Sequence, residues 1–262
     1  HYTQDREILT LSTADFDFIS LLKEETTGFP RGIAFIMPDI DQSIGRQAAV
    51  TAVYDQLNNI GWTTMVLTMP TPELIAPEVN LWQVQQDMLQ QAKTPDAEPI
   101  AEQNLELKAN YQNDMYSNEY IDGIESAISA RIEAAHKEAE KYPGFYLYIC
   151  QGKTCAWVTR LIQQQSITQP DALVMLSAHL PQQDLNLTLS AQIGKTEFPV
   201  LELYREQDNN WVQSQLNERR IIARKNFKTN YRQRKLFYGM DYRSQQRRTV
   251  KEIYGFLTAV GM

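Results

Sequence analysis

The sequence predicts an α/β fold: a mostly parallel central sheet with helices on both faces and a long insertion before one of the central strands. Three observations lead there. Continuous apolar runs at Gly32 to Met37, Thr63 to Met69, Phe145 to Cys150, Ala172 to Ala178 and Val200 to Tyr204 have the length and composition of strands buried on both faces. Stretches of helical periodicity separate them, which is the alternation of a parallel sheet. At Gly144 to Trp157 (G-F-Y-L-Y-I-C-Q-G-K-T-C-A-W) a strand passes directly into a helix through Gln151-Gly152, a very sharp turn.

In chain order, Arg6 to Thr13 and Phe16 to Leu22 read as two short strands that enter the sheet antiparallel. Gly32 to Met37 ends at Pro38-Asp39, and a helix is expected over about Arg46 to Asn59. Gly61-Trp62 leads into the strand stopped by Pro70. More than seventy residues then separate Pro70 from the strand at Phe145, far more than one crossover helix needs. Residues 71–117 are rich in Gln, Asn, Asp, Glu and Pro and read either as a mobile cap or as a surface excursion. Asn118 to Lys141 is a helix with Ile121, Ile124, Ile128 and Ile132 on one face and His136 on a predicted surface. After the sharp turn, helices are expected at Thr154 to Gln165, more weakly at Leu185 to Ile193, at Trp211 to Lys225 and at Ser244 to Val260, with a last strand at Tyr231 to Tyr238.

With 262 residues, 43% of them hydrophobic, the chain suffices for one large domain. It opens at His1, so a signal peptide is expected to have been removed or the chain trimmed. No apolar run of the length needed to span a bilayer is present, and the chain is expected to be soluble. The net charge of −7 is unevenly spread: residues 71–140 carry 14 Asp and Glu against 4 Lys and Arg, and residues 211–251 carry 12 Lys and Arg against 2 Asp and Glu. The basic segment, with Arg219, Arg220, Arg224 and Lys225, either faces the acidic segment or meets an acidic protein or anionic envelope component. Overall acidity and the absence of a binding motif argue against nucleic acid.

The sharp turn has the shape of a nucleophile elbow, which in α/β-hydrolases carries G-x-S-x-G on a strained strand-to-helix corner. Here the five positions are Cys150-Gln151-Gly152-Lys153-Thr154, so the nucleophile position holds Gly152. Lys153 and Thr154 flank it, and the threonine is expected to point into helix packing. Gly152-Lys153-Thr154 also matches the end of a phosphate-binding loop, but Leu147 stands where the first glycine belongs, so no loop exists to wrap a nucleotide. The acid position beyond the next strand pair falls on Asp208, which reads equally as a turn or N-cap residue. The base position, near Tyr238 to Ser244, contains no histidine. His179 follows the strand at Ala172 to Ala178 and either lines a pocket or packs. Asp39 and Asp41, in the loop that would help to form an oxyanion hole, would oppose a developing negative charge unless they point away. Cys150 and Cys155 are either a disulfide across the elbow, if their Cα atoms come within roughly 4.4–6.8 Å, or two small buried residues. Metal binding is not expected, since no His or further Cys lies near them, and no cofactor is predicted.

The motifs G-I-A-F-I-M-P at Gly32, G-W-T-T-M-V-L-T-M-P at Gly61, Q-G-K-T-C-A-W at Gln151, F-P-V-L-E-L-Y at Phe198 and Y-G-F-L at Tyr254 resemble a proteobacterial family of periplasmic α/β-hydrolase-like proteins of unknown function. The resemblance covers most of the chain. It implies an α/β-hydrolase-like fold with a degenerate elbow, a periplasmic location after removal of a signal peptide, and a catalytically inactive protein that binds an envelope partner or ligand. The alternative is an esterase or amidase with relocated groups such as Thr154, His179 and Asp208.

Overall fold

The computed structural model describes residues 7–40, 53–71, 116–236 and 242–262, the last from residue 246 with side chains. The elements are β1 (Glu7–Ser12), β2 (Asp17–Lys23), β3 (Gly32–Met37), β4 (Trp62–Leu67), α1 (Asn118–Ala139), β5 (Phe145–Gln151), α2 (Gly152–Gln163), β6 (Ala172–Leu176), α3 (Gln183–Lys195), β7 (Val200–Arg205), α4 (Asn210–Lys225), β8 (Tyr231–Leu236) and α5 (Tyr242–Ala259), with a helical stretch at 53–60 that ends in the 3-10 turn Leu57–Ile60 before β4. The strands form one sheet in the order β1-β2-β4-β3-β5-β6-β7-β8. β1 and β2 pair antiparallel with each other, and β2 pairs antiparallel with β4. The remaining pairs are parallel.

The apolar runs explain the middle of the sheet. Every residue of β3, β4 and β6 is buried, because helices cover both faces. One core packs α1, α2 and α3 against the sheet through Ile124, Ile128, Ile132, Trp157, Leu161, Leu189 and Ile193. The other places Ile253, Phe256 and Leu257 of α5, with Val53, Tyr54 and Leu57, on the opposite face. The register aligns Met37 with Cys150, Gln151 with Leu176, and Leu176 with Leu203. The C-terminal ends of β3, β5, β6 and β7 therefore lie at one end of the sheet, where ligands gather in open α/β folds.

The insertion at 71–117 lies largely outside the described residues, as do Asp41 and most of the segment 238–244; of the helix expected at 46–59, residues 53–59 are described and are helical, ending in the 3-10 turn Leu57–Ile60. α3 is longer than its weak pattern predicted, starting at Gln183. His136, expected on the surface, is half-buried: its ring stands edge-on to Phe35 at 4.9 Å and against Tyr146 at 4.8 Å. Its Nε2 donates to the Tyr148 hydroxyl at 2.5 Å, which in turn donates to the Thr168 carbonyl at 2.9 Å. Residue 136 lies one turn after Ile132, on the stripe that faces the sheet.

Arg219 also differs from expectation. It was placed with Arg220, Arg224 and Lys225 on a basic surface, yet it has no exposure at all, while the other three are exposed. Its guanidinium pairs with the equally buried Glu202 on β7 and donates through Nη2 to the Ala178 carbonyl at 3.0 Å. The second carboxylate oxygen of Glu202 accepts from the Tyr231 hydroxyl and from Gln233 at 2.9 Å. Helical spacing accounts for this, since Arg219 shares a stripe with Val212 and Ala223, both buried.

Two predictions follow from these buried groups. Arg219→Ala leaves Glu202 as an uncompensated buried charge and should cost about 3–5 kcal/mol in urea unfolding, whereas Arg220→Ala should stay within about 0.5 kcal/mol. Burial lowers the pKa of both His136 and His179 below the ordinary 6.5. Each imidazole then holds fewer protons folded than unfolded, so its contribution to stability is complete above pH 6.5 and is lost as the pH falls below it. Melting temperature should drop on acidification through that range, and His136→Phe, which keeps the ring packing, should reduce the slope.

Candidate functional site

β5 runs into α2 without a linking residue, so Gly152 is both the turn and the first helical residue. It adopts φ +57°, the left-handed conformation that an elbow demands of its nucleophile and that glycine adopts without strain. The left-handed corner of an elbow is therefore present although the side chain is absent. Its space is filled from the loop after β3: a Cβ placed on Gly152 would lie 2.0 Å from Asp39 Oδ2 and 2.4 Å from Asp39 Cγ. The Asp39 carboxylate occupies the position from which a nucleophile would project.

The same carboxylate takes up the amide at the helix start. Asp39 Oδ1 accepts from the Lys153 N–H at 3.1 Å. In a serine hydrolase the amide of the residue after the nucleophile stabilises the developing oxyanion. Here it is committed to a fixed negative charge, placed at the positive end of α2. Asp41 lies outside the described residues, but Asp39 points into the corner and not away from it.

Electrostatics at this corner reflect the balance of burial and pairing. Burial raises the Asp39 pKa; the Lys153 charge and the amides of Lys153, Ile40 and Thr154 oppose it without reversing it. Burial likewise lowers the Lys153 pKa against the pull of Asp39. Tyr116 is pushed up by burial, then by Tyr120 and Asp39, and its ring stacks on Tyr120 at 4.9 Å and meets Trp157 edge-on at 5.7 Å.

The other residues singled out from sequence separate into distinct arrangements. Thr154 is fully buried and donates to the Pro38 carbonyl at 2.6 Å, fixing α2 to the end of β3 as its expected inward direction implies. Asp208 meets Ser177 in place of a histidine: the Ser177 hydroxyl lies 2.9 and 2.8 Å from its two carboxylate oxygens, and Oδ2 also accepts from the Arg205 N–H at 2.7 Å. Ser177 sits at the end of β6 with φ +52°. His179 donates from Nδ1 to the Ser177 carbonyl at 2.9 Å, which fixes the tautomer, and its Nε2 accepts from Asn209 Nδ2 at 3.0 Å. Its own N–H approaches the Gly152 carbonyl at 3.4 Å. Thus His179 borders the elbow, but both ring nitrogens are engaged elsewhere. Thr154, His179 and Asp208 do not form a proton relay.

Cys150 and Cys155 are free thiols, both buried, so the disulfide reading gives way to the packing one. Cys150 donates to the Val174 carbonyl at 3.6 Å, and burial, followed by contact with Cys150, raises the Cys155 thiol. Among the described residues, no three His, Cys, Asp or Glu side chains are grouped to hold a metal ion, and no helix is long and apolar enough to cross a membrane. Ser177, Asn209 and Tyr116 were not singled out from sequence. Ser-Ala-His at the end of a buried strand was the available signal for the first.

A family model described as "Protein of unknown function (DUF3530)" matches residues 1–259. The chain belongs to the DUF3530 family. No curated protein matches this member of DUF3530 in sequence. Its fold is nevertheless widely represented among solved structures. It is similar to esterase 2 of Thermogutta terrifontis, at a TM-score of 0.65 and 8% identity over 100% of this chain and 97% of that one. It is similar to a dienelactone hydrolase from Anabaena variabilis, at 0.58 and 10% identity over 99% of both chains. An alpha-beta serine hydrolase homologue from Coxiella burnetii matches at 0.57 and 9% identity over 97% of this chain and 100% of that one. The DUF3530 chain therefore has an α/β-hydrolase-like fold, as its sequence predicted; at these identities the likeness is one of fold.

The clash at Gly152 is directly testable. Gly152→Ser should destabilise the protein by about 1–3 kcal/mol through overpacking against Asp39. In an Asp39→Ala background the same change should cost at least about 1 kcal/mol less, a coupling read from a double-mutant cycle in urea.

Proposed function

We propose that this chain is a catalytically inactive hydrolase-fold protein of the bacterial envelope that acts by binding a protein partner or ligand. The observation that carries the reading is the Asp39 carboxylate, which stands where the nucleophile would project and accepts from the Lys153 amide. An acyl-transfer site needs an attacking group and a free donor for the oxyanion, and this corner offers neither. The envelope location rests on the resemblance drawn from the sequence motifs. The exposed cations Arg220, Arg224 and Lys225 on α4 supply a surface for an acidic partner. For a small ligand, a groove of about 240 Å³ lies between α3 and α4, lined by Asn186, Leu187, Trp211 and Gln215.

One observation favours a second reading. Asp39, Lys153 and His179 are titratable groups displaced from their ordinary pKa values at the ligand-binding end of the sheet, a pattern common at catalytic sites. It supports an esterase or amidase with relocated groups.

Incubation with a fluorophosphonate probe and a panel of short acyl esters separates the two. The inactive reading expects no labelling and no turnover above buffer; turnover abolished by Asp39→Asn or His179→Ala would establish the enzyme. Binding is tested by crosslinking in intact cells. A partner recovered with the wild type should be lost when Arg220, Arg224 and Lys225 are all changed to Glu, and recovery unaffected by the reversal would count against the α4 surface.

A further inference from the structure

The two outer strands of the sheet are guarded very differently. β8, at one edge, reads Y-R-Q-R-K-L and carries Arg232, Arg234 and Lys235 within six residues. Charged side chains on an edge strand, cations above all, are a standard means of preventing its backbone from pairing with another chain. β1, at the other edge, reads E-I-L-T-L-S, with no Lys, Arg or Pro. It is six residues long and regularly paired to β2 along its whole length, without a bulge to twist it away. Among the described residues no strand lies on its other side.

The outer face beside this edge is apolar as well. Ile8 is 68% exposed, and Ile19, which pairs with Thr10 across the β1–β2 ladder, is 52% exposed. Leu11 and Phe18 point to the opposite face and are buried there. An unguarded edge beside two exposed isoleucines is the arrangement that natural sheets avoid unless the edge is used.

We propose that β1 is a homodimer interface, in which two copies pair their β1 strands antiparallel and join two eight-stranded sheets into one. This goes beyond the binding reading above and does not depend on it. The occupant follows from symmetry. A two-fold axis perpendicular to the sheet keeps each face in register only if it passes through a residue, since side chains alternate with a period of two. An axis through Thr10 sets Thr10 against Thr10, Leu9 against Leu11 and Ile8 against Ser12. It leaves Glu7, the one charged residue of β1, opposite Thr13, so no like charges meet. The Ile8 and Ile19 side chains of both copies then lie on one continuous outer face. Self-pairing of β8 has no such solution, because it would bring two sets of three cations together.

Size-exclusion chromatography with light scattering on the purified chain gives the first test. The expected mass is twice that of one chain, and a monomer at every concentration would overturn the proposal. So would masses that climb without limit, which signal open β1-on-β8 addition. Thr10→Lys places two ammonium groups face to face on the axis and should return the protein to a monomer with unchanged circular dichroism. An intact Thr10→Lys dimer would show that the contact lies elsewhere. The register is tested independently of stability: Thr10→Cys should give an intermolecular disulfide on mild oxidation, since opposed Cβ atoms lie about 4.5–5.5 Å apart. Ser12→Cys, which faces Ile8, should crosslink far less. Equal crosslinking of the two would reject the axis through Thr10.

Discussion

The contact between Asp39 and Gly152 governs the end of the sheet where function in this fold resides. Only one group can stand over the left-handed corner: a side chain at position 152 or the Asp39 carboxylate from the loop after β3. With glycine at 152 the carboxylate enters, and once there it satisfies the Lys153 amide in the first turn of α2 and complements the helix dipole. Thr154 seals the same junction from inside through the Pro38 carbonyl. Three residues thus weld the end of β3 to the start of α2, at a point that an enzyme of this architecture would keep open for substrate.

The neighbouring loops are reorganised consistently with that closure. Asp208, lacking a histidine to orient, fixes Ser177 and the Arg205 amide and so ties the ends of β6 and β7 together. His179 is held between the Ser177 carbonyl and Asn209. From beneath, Arg219 clamps the Ala178 carbonyl while it neutralises Glu202. These contacts serve the packing of loops, although Arg219 Nε is buried without a hydrogen-bond partner, and the buried ion pair makes the whole edge sensitive to loss of either charge.

Much of this was legible in the sequence because the informative residues are local. β3 to β7 announced themselves as unbroken apolar runs, and the elbow as an aromatic strand meeting Gly152 with no intervening loop. Helix α1 followed from its isoleucine stripe. What sequence did not reveal depends on register or on an overlooked period. Asp39 was recognised as a charge near the oxyanion position, but its direction follows from β3 lying beside β5 with Met37 level with Cys150, a contact across more than a hundred residues. Arg219 was grouped with its cationic neighbours by charge, when its spacing from Val212 and Ala223 placed it on the buried stripe. His136 was misplaced for the same reason, one turn beyond Ile132.

The occupied corner also limits what a single substitution can do in this chain. Restoring a serine at 152 while Asp39 remains forces two groups into one space; removing Asp39 first strands the Lys153 amide without its acceptor. Either single step passes through a less stable protein, and neither alone delivers a nucleophile. The two positions are thus coupled, and neither changes alone without a cost in stability.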